Sequence, residues 1–488
     1  MQTPPALEPS RWIGRIFSGT WTESRGGAHD VLEKATGAKL VQVGVAAPGD
    51  IATAARAAAA AQPGWAATAP NDRVAVFRKA IAFFEANTEA MVQLIVRETG
   101  CIPPKAQHEV RAVIGLLQQA ASLILQPQGL VLPSVPGRLS YAKRVPHGVV
   151  GVISPFNFPL ILSMRSTAPA LAVGNAVVLK PDVQTPLTGG FFIARAFEEA
   201  GLPAGVLQVL PGGAEAGEAI CTDPNIRMVA FTGSTAAGRR VGELAGKHLK
   251  KVALELGGKN SLIILDDADV ERAVSNVAWG AYFHQGQICM ASGRVLVHEK
   301  IASELTARLV AKANALPVGD PATSQVALGP LINERQRDRV HGIVQDAIKD
   351  GAKLEAGGTF DRLFYKPTVL SAVRPTMRAF REEMFGPVAN IVTFSSDDEA
   401  VALANDTEYG LSAAVISRSV GRAMALGERL GAGLIHVNDS TVKDDGVNPF
   451  GGRGASGNGG TMGGPSDHDE YTQWKWFTVK DEPALTPF

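Results

Sequence analysis

From position 149 onward, short runs of β-branched and aliphatic residues alternate with longer amphipathic or alanine-rich stretches. The runs at 149–153, 176–179, 206–210, 228–231 and 252–256 predict strands, and 191–200 and 236–249 predict helices between them. Such alternation predicts parallel βαβ units in which helices cover both faces of a sheet. The pattern restarts after Lys259, with strands at 261–265 and 294–298 and helices at 268–279 and 302–315, so a second α/β unit is expected there. The alanine-rich stretch 51–68 and the stretch 73–99 read as helices that pack on the first unit.

Two segments fit neither unit. Residues 137–144 alternate in strand fashion before Pro146, and the tail 471–479 alternates aromatics. Each reads as an exposed strand seeking a partner, with an ordinary hairpin and a frayed tail as the plain alternative. The glycine-dense stretch 446–464 resembles a flexible linker in composition, but Pro449, Phe450 and Arg453 within it point to a tight loop approaching a site.

Composition then narrows the function. A chain of 488 residues exceeds what one hydrophobic core usually organises, which fits two or three units. Lys plus Arg and Asp plus Glu are both 47, and no block of like charge stands out. Nucleic acid and anionic membrane surfaces are therefore not the expected partners, and a small substrate is. The 3 cysteines, at positions 101, 221 and 289, are too far apart for a CxxC motif and too few for a disulfide framework. A reducing cytoplasm is the expected setting. Residues 1–10 hold several prolines and no basic-then-apolar segment, so neither a signal peptide nor a membrane span is expected.

The candidate chemistry centres on Cys289, in His284-Gln285-Gly286-Gln287-Ile288-Cys289-Met290, and Glu255, in Leu254-Glu255-Leu256-Gly257-Gly258. A thiolate is a strong nucleophile, and a carboxylate can activate water against a covalent intermediate. Taken singly, Cys289 reads as a buried thiol and Glu255 as a salt-bridged carboxylate at a strand end. Asn157 sits in a proline-bracketed turn, where its carboxamide can donate to an oxyanion or simply complete the turn. Lys180 closes a strand at a sheet's carboxyl end, where ligands bind in open α/β folds; a lone lysine there is more often solvated. Phe231-Thr232-Gly233-Ser234-Thr235, with Gly238, lies where a strand ends and a helix begins. Free N–H groups at such a helix start suit a phosphate, although these turns often need glycine for steric reasons alone. It is not the GxGxxG fingerprint.

In order along the chain, Asn157, Lys180, Gly233-Ser234-Thr235, Glu255-Leu256-Gly257-Gly258, Gly286-Gln287-Ile288-Cys289, Glu383-Met384-Phe385-Gly386-Pro387 and Pro449-Phe450-Gly451-Gly452 resemble the aldehyde dehydrogenase superfamily nearly end to end. More narrowly, Lys180-Pro181-Asp182, Met164-Arg165-Ser166, His284-Gln285-Gly286-Gln287 and the loop 457–464 resemble bacterial benzaldehyde dehydrogenases. The resemblance implies an α/β fold with three parts. Residues 1–127 and 147–257 would form a Rossmann-type NAD(P)-binding domain, 258–456 an α/β catalytic domain, and 128–146 with 468–488 a small β oligomerisation element.

The same resemblance implies the mechanism. Cys289 attacks the aldehyde, the Asn157 side chain and the Cys289 N–H hold the oxyanion, hydride leaves, and Glu255 activates the water that hydrolyses the thioester. It implies that Lys180 holds the adenosine ribose, Ser234 meets the pyrophosphate, Glu383 binds the nicotinamide ribose and Phe385 packs near the nicotinamide. Ile153, Pro155, Phe156, Gly212, Phe231, Gly233 and Leu256 would complete the cofactor site. No metal is implied.

The cofactor is expected to be NAD, with NADP also used. Many NAD-using relatives carry a glutamate three residues after the lysine, where this chain has Val183. Ser166 stands where many relatives place a lysine, leaving Arg165 either to replace that cation or to line the substrate entrance. Phe158, Leu162, Met164, Arg165, Phe283, Ile288, Met290 and Phe450 are the expected substrate pocket, suited to a planar aromatic aldehyde, although core packing is the default for any one of them. A homodimer or homotetramer is expected.

An unperturbed thiol near pKa ~8.5 is only a few per cent ionised at neutral pH, so the site is expected to depress that value. Three rival readings were open to the chain. A coenzyme A-acylating dehydrogenase does not need Glu255; a binding protein that lost turnover does not need Cys289, Glu255 and Asn157 together; a cysteine hydrolase needs a histidine base, and His284 has no partner pattern.

Overall fold

The computed structural model describes residues 9–483, 485, 486 and 488. Residues 1–8, and with them most of the segment read for a signal peptide, lie outside the described residues.

The first sheet has seven strands in the order Lys251–Glu255, Ile226–Thr232, Val149–Ile153, Ala176–Lys180, Leu207–Val209, Arg15–Ser18 and Trp21–Glu23. The first five are parallel, as expected. The last two run antiparallel and extend the edge, so the sheet is mixed where pure βαβ was expected. Strands Val149–Ile153 and Ala176–Lys180 are buried along their whole length, which is why they read as unbroken apolar runs. The chain steps outward from Val149–Ile153 to Ala176–Lys180 and Leu207–Val209, then returns to the opposite side with Ile226–Thr232. That reversal opens a crevice between the carboxyl ends of two neighbouring strands, where Ile153 pairs with Phe231.

Helix Pro48–Ala67 covers this sheet as expected, its Trp65 indole N–H donating to the Leu171 carbonyl at 2.8 Å, whereas the stretch 73–99 forms two helices, Pro70–Ala86 and Thr88–Thr99, of which the first packs on Pro103–Ile124 and Phe192–Glu199. The predicted helix at 191–200 forms as Phe192–Glu199, preceded by a π-helical turn at Leu187–Phe191. Glu334–Lys349 of the second unit escaped the pattern, as did two long helices here, Pro103–Ile124 and Pro159–Ala172. In Pro159–Ala172, only Leu162 is not buried, so there is no polar face to give a 3.6-residue period.

The second sheet runs Lys353–Ala356, Thr368–Ser371, Val388–Phe394, Arg294–His298, Ser261–Ile264, Ser412–Ile416, Leu434–Val437. All neighbours are parallel except the first pair. Helices Val270–Tyr282 and Glu299–Ala315 bury one apolar core against it, and Glu334–Lys349, Asp397–Asn405 and Val420–Gly427 another.

The two unplaced segments pair with each other. Thr472–Val479 lies antiparallel to Leu139–Pro146 over eight residues, and Gly129–Val131 adds a third strand. The tail is thus part of a sheet, not a frayed end. Its outer residues stay exposed, Trp476 at 66% and Val131 at 82%.

Candidate active site

At the switch point, the strand ends bring the expected cofactor residues together. Ile153 leads into Pro155 and Phe156, while Phe231 leads into Gly233 and Ser234. The Gly233 N–H donates to the Glu255 carbonyl at 3.0 Å. Ser234 caps helix Thr235–Lys247, its hydroxyl accepting from the Ala237 N–H at 3.4 Å, and the Thr235 and Ala236 N–H groups before it remain to face an anion. Leu256 packs against Gly238, where any Cβ would overlap it. Next to Ile153 in register stands Lys180, whose ammonium donates to the Gly212 carbonyl at 2.7 Å. Burial lowers its pKa, opposed by Asp182.

From the second sheet, Glu383 and Phe385 reach the same crevice. Glu383 Oε1 accepts the Gly258 N–H at 3.1 Å, and burial pushes this carboxyl up to about 7 against Gly258, Arg339 and Lys259. Phe385 meets Phe156 edge-on with ring centroids 5.8 Å apart. A helix start lined by glycine, a buried ammonium and a carboxylate offer the donors and acceptors that the phosphates and hydroxyls of a dinucleotide need.

Cys289 follows a distorted turn. His284, Gln285 and Gly286 all have positive φ, at 49°, 55° and 67°. For the two non-glycine residues this is a strained conformation that persists only where the surroundings hold it. Gly286 is required twice over, since a Cβ would also overlap the Gly386 carbonyl. Four side-chain hydrogen bonds hold the loop. Gln285 Nε2 donates to the Gly100 carbonyl at 3.0 Å, and Gln287 Oε1 accepts the Ile332 N–H at 3.0 Å. Asn157 Nδ2 donates to the Gln287 carbonyl at 2.9 Å, and Asn260 Nδ2 to the Cys289 carbonyl at 2.8 Å. Asn157 therefore lies against the cysteine loop with its second N–H free of that bond.

Glu255 ends its strand with a buried side chain, and neither carboxylate oxygen meets hydrogen-bond geometry. Burial raises its pKa well above the carboxylate range; Glu470 and Asp444 add to this, while Arg165 and a loosely approaching Gly452 N–H oppose it. The glycine-dense loop closes over this strand end, as its residue types foretold. The Leu256 N–H donates to the Ser456 carbonyl at 2.9 Å and Asn458 Oδ1 accepts the Leu254 N–H at 2.9 Å.

The expectation of a depressed thiol is overturned. Cys289 is half-buried, and its pKa is pushed up to about 12, first by burial and then by Glu383, Glu255 and Asp444, with Arg165 opposing. One cation against three carboxylates in a poorly solvated site favours the neutral thiol. Added positive charge or a proton acceptor is needed to ionise it. His284 does not serve: neither ring nitrogen meets hydrogen-bond geometry, and burial drives its pKa well below the usual range.

Around the thiol, Ile288, Met290 and Phe450 form a separate apolar cluster with Phe158 and Phe283. Phe158 and Phe283 have ring centroids 6.5 Å apart, and Phe283 stacks on Trp279 at 4.1 Å. Arg165 lies with its guanidinium 4.7 Å over the Phe450 ring and forms an ion pair with Asp444. Burial works against its charge, but Asp444, Glu255 and Cys289 outweigh that and raise its pKa. Its Nε and Nη1 have no protein partner. Leu162 is half-buried on the same helix, whereas Met164 is fully buried in the core of the first sheet and belongs there, not to the Cys289 cluster.

Asp444 and Trp279 were not anticipated. Asp444 is 279 residues from Arg165, and nothing local marks an aspartate as its partner. Among the described residues, no group of three or more His, Cys, Asp or Glu side chains is placed to hold a metal.

Comparison with known proteins agrees with this geometry. The sequence profile of the Aldehyde dehydrogenase family matches residues 21–477. The chain is 51% identical to a vanillin dehydrogenase of Amycolatopsis sp. over 99% of both chains, and 48% identical to a benzaldehyde dehydrogenase [NAD(+)] of Pseudomonas putida over 98% of both. Among solved structures, betaine aldehyde dehydrogenase of Staphylococcus aureus in complex with NAD+ superposes with a TM-score of 0.95 at 30% identity, covering 99% of this chain and 98% of that one. With a crevice at the switch point, a cysteine loop pressed against Asn157 and a match along nearly its whole length, this chain belongs to the aldehyde dehydrogenase family.

Proposed function

We propose that the protein oxidises an aromatic aldehyde, benzaldehyde or a ring-substituted analogue such as vanillin, to its carboxylic acid. The observation that carries this is a nucleophilic thiol set in an aromatic-lined apolar cluster, the surroundings a planar ring needs. The vanillin and benzaldehyde dehydrogenases named above support the same substrate class. The unpaired N–H groups of Arg165 provide donors for a ring hydroxyl or methoxy oxygen.

In this reading the Cys289 thiol gives its proton to solvent water, its sulfur bonds to the carbonyl carbon as the C=O π bond opens, and the oxyanion meets the free Asn157 N–H and the Cys289 backbone N–H. The nicotinamide cofactor, when bound, supplies the hydride acceptor and positive charge beside the thiol. Loss of hydride from the substrate carbon leaves a thioester on Cys289. Glu255, with no hydrogen bond to occupy it, takes a proton from the water that attacks the thioester, and sulfur departs. A coenzyme A-acylating route would leave this carboxylate without a task.

The test compares benzaldehyde, vanillin, cinnamaldehyde and a short aliphatic aldehyde by reduced-cofactor formation. The aromatic aldehydes should give the higher kcat/KM, and acid should form without coenzyme A. A preference for the aliphatic compound would sink the aromatic assignment.

The cofactor reading is NAD with NADP also accepted, because Val183 neither accepts from a ribose 2′-hydroxyl nor repels a 2′-phosphate. NADP turnover at saturating cofactor should be measurable, and its absence refutes this part. Residues 1–127 with 147–257 are proposed as the cofactor domain and 258–456 as the catalytic domain. The three-stranded sheet, from 128–146 and 468–488, is proposed to join copies into a homodimer or homotetramer, since its exposed Trp474 and Trp476 sit on an edge strand whose outer side has no strand partner among the described residues. Three free cysteines, at 101, 221 and 289, suit a reducing cytoplasm, and no helix of the described residues is long and apolar enough to cross a membrane.

A further inference from the structure

Directly beneath the Asn157 turn lies a charged pair that the proposed reaction does not use. Lys105 and Glu109, one turn apart on helix Pro103–Ile124, form an ion pair with both side chains at 0% exposure. A pair so completely removed from water is costly to keep, and replacing it by uncharged groups is often neutral or stabilising, so its retention calls for a reason other than stability.

Its contacts supply one. The Lys105 ammonium donates to the Asn157 main-chain carbonyl at 2.8 Å and lies 4.3 Å from the centroid of the Phe158 ring. Glu109 Oε2 accepts the Leu160 N–H at 3.0 Å and the Ile161 N–H at 3.4 Å, the free donors of the first turn of helix Pro159–Ala172. One partner thus holds the turn at Asn157 and the other holds the helix that follows. Between them only Phe158 and Pro159 intervene. On the other side, the Asn157 carboxamide reaches the cysteine loop through Gln287.

We propose that Lys105 and Glu109 are positioning residues for the oxyanion, fixing the Asn157 turn from behind so that its free N–H stands where charge develops. The inference rests on Asn157 being the oxyanion donor. A donor displaced by about 1 Å loses much of its effect, on the order of 100-fold in rate.

Removing one charge alone strands the other and risks unfolding, so the test uses the double variant Lys105→Met/Glu109→Gln in the full-length protein. It should unfold at a temperature close to the parent's and bind NAD within about twofold of the parent, while kcat for benzaldehyde falls about 10- to 100-fold. Placed in an Asn157→Ala background, the same pair should cost less than about threefold more, because its action runs through Asn157. An unchanged kcat, an equal loss in both backgrounds, or a matching loss of NAD affinity would overturn the proposal. Should Asn157→Ala itself leave kcat intact, the oxyanion reading falls and the positioning role with it. If Asn157→Ala is slow and the pair acts additively, only the positioning role falls.

Discussion

Replacing Cys289 by alanine should lower kcat for aldehyde oxidation by a factor on the order of 10⁵ or more, while NAD binding stays within about twofold. The size follows from the chemistry. Without the sulfur there is no thiohemiacetal, so no carbon bears the electron density that expels hydride, and the remaining donors only bind substrate. The thiol is half-buried and packs at the edge of a small apolar cluster, so losing it should disturb the fold little. The checks are initial rates of NADH formation and a cofactor titration. Residual activity above about a hundredth of the parent would remove Cys289 from the mechanism.

Glu255→Gln should separate the two halves of the reaction. Acylation should still release about one equivalent of NADH per site in a burst, after which turnover stalls at about 10² to 10⁴ below the parent rate. Mass spectrometry of the stalled protein should find the acyl group on Cys289. No burst, together with a slow first turnover, would instead assign Glu255 to activation of the thiol. The variant should be at least as stable as the parent, because the carboxylate it replaces is buried with no hydrogen-bond partner.

The same variant fixes the sign of the pH response. Glu255 acts as a base only when deprotonated, and burial raises its pKa well above the usual range. Parent kcat should therefore climb with pH over an interval displaced upward from ordinary carboxylates. The Cys289 thiol, pushed up to about 12 by burial and the carboxylates near it, also has to lose a proton, so acylation rises with pH as well. Measuring burst rate and steady-state rate separately distinguishes them: in Glu255→Gln the steady-state limb should disappear while the burst limb remains.

Much of this site was legible in one dimension. The order of Asn157, Lys180, Glu255, Cys289, Glu383 and Phe450 along the chain marked the family, because each needs a particular residue type at a strand end or tight turn. The strands at 149–153, 176–180, 261–264 and 294–298 were legible because two-sided burial writes itself as runs of Val, Ile, Leu and Ala, whereas Val388–Phe394 and Ser412–Ile416, equally parallel members of the second sheet, were not anticipated. The loop at 446–464 was legible because glycine beside Pro449 and Phe450 speaks against a free linker.

Other features had no linear signature. Helix Pro159–Ala172 carries Arg165 and follows Asn157, yet burial on nearly every side removed the periodicity by which helices are read. Met164 and Arg165 are adjacent in sequence, but the helix sends the first into the core and the second over Phe450. The tail strand pairs with residues some 330 positions earlier, from Thr472 with Pro146 to Val479 with Leu139.

Most instructive is the thiol. Motifs alone led to an expectation of a depressed pKa, whereas the folded chain raises it. By itself the sequence determined which groups are present and which secondary structure each would end. Only the tertiary structure decided that Glu383, Glu255 and Asp444 would outnumber Arg165 around Cys289, that Lys105 and Glu109 would brace Asn157, and that solvent would be largely withdrawn from them. Local conformation depends on near neighbours and on a repeating face, which a sequence displays. Charge balance and desolvation are sums over atoms brought close from anywhere in the chain, and those distances exist only after folding.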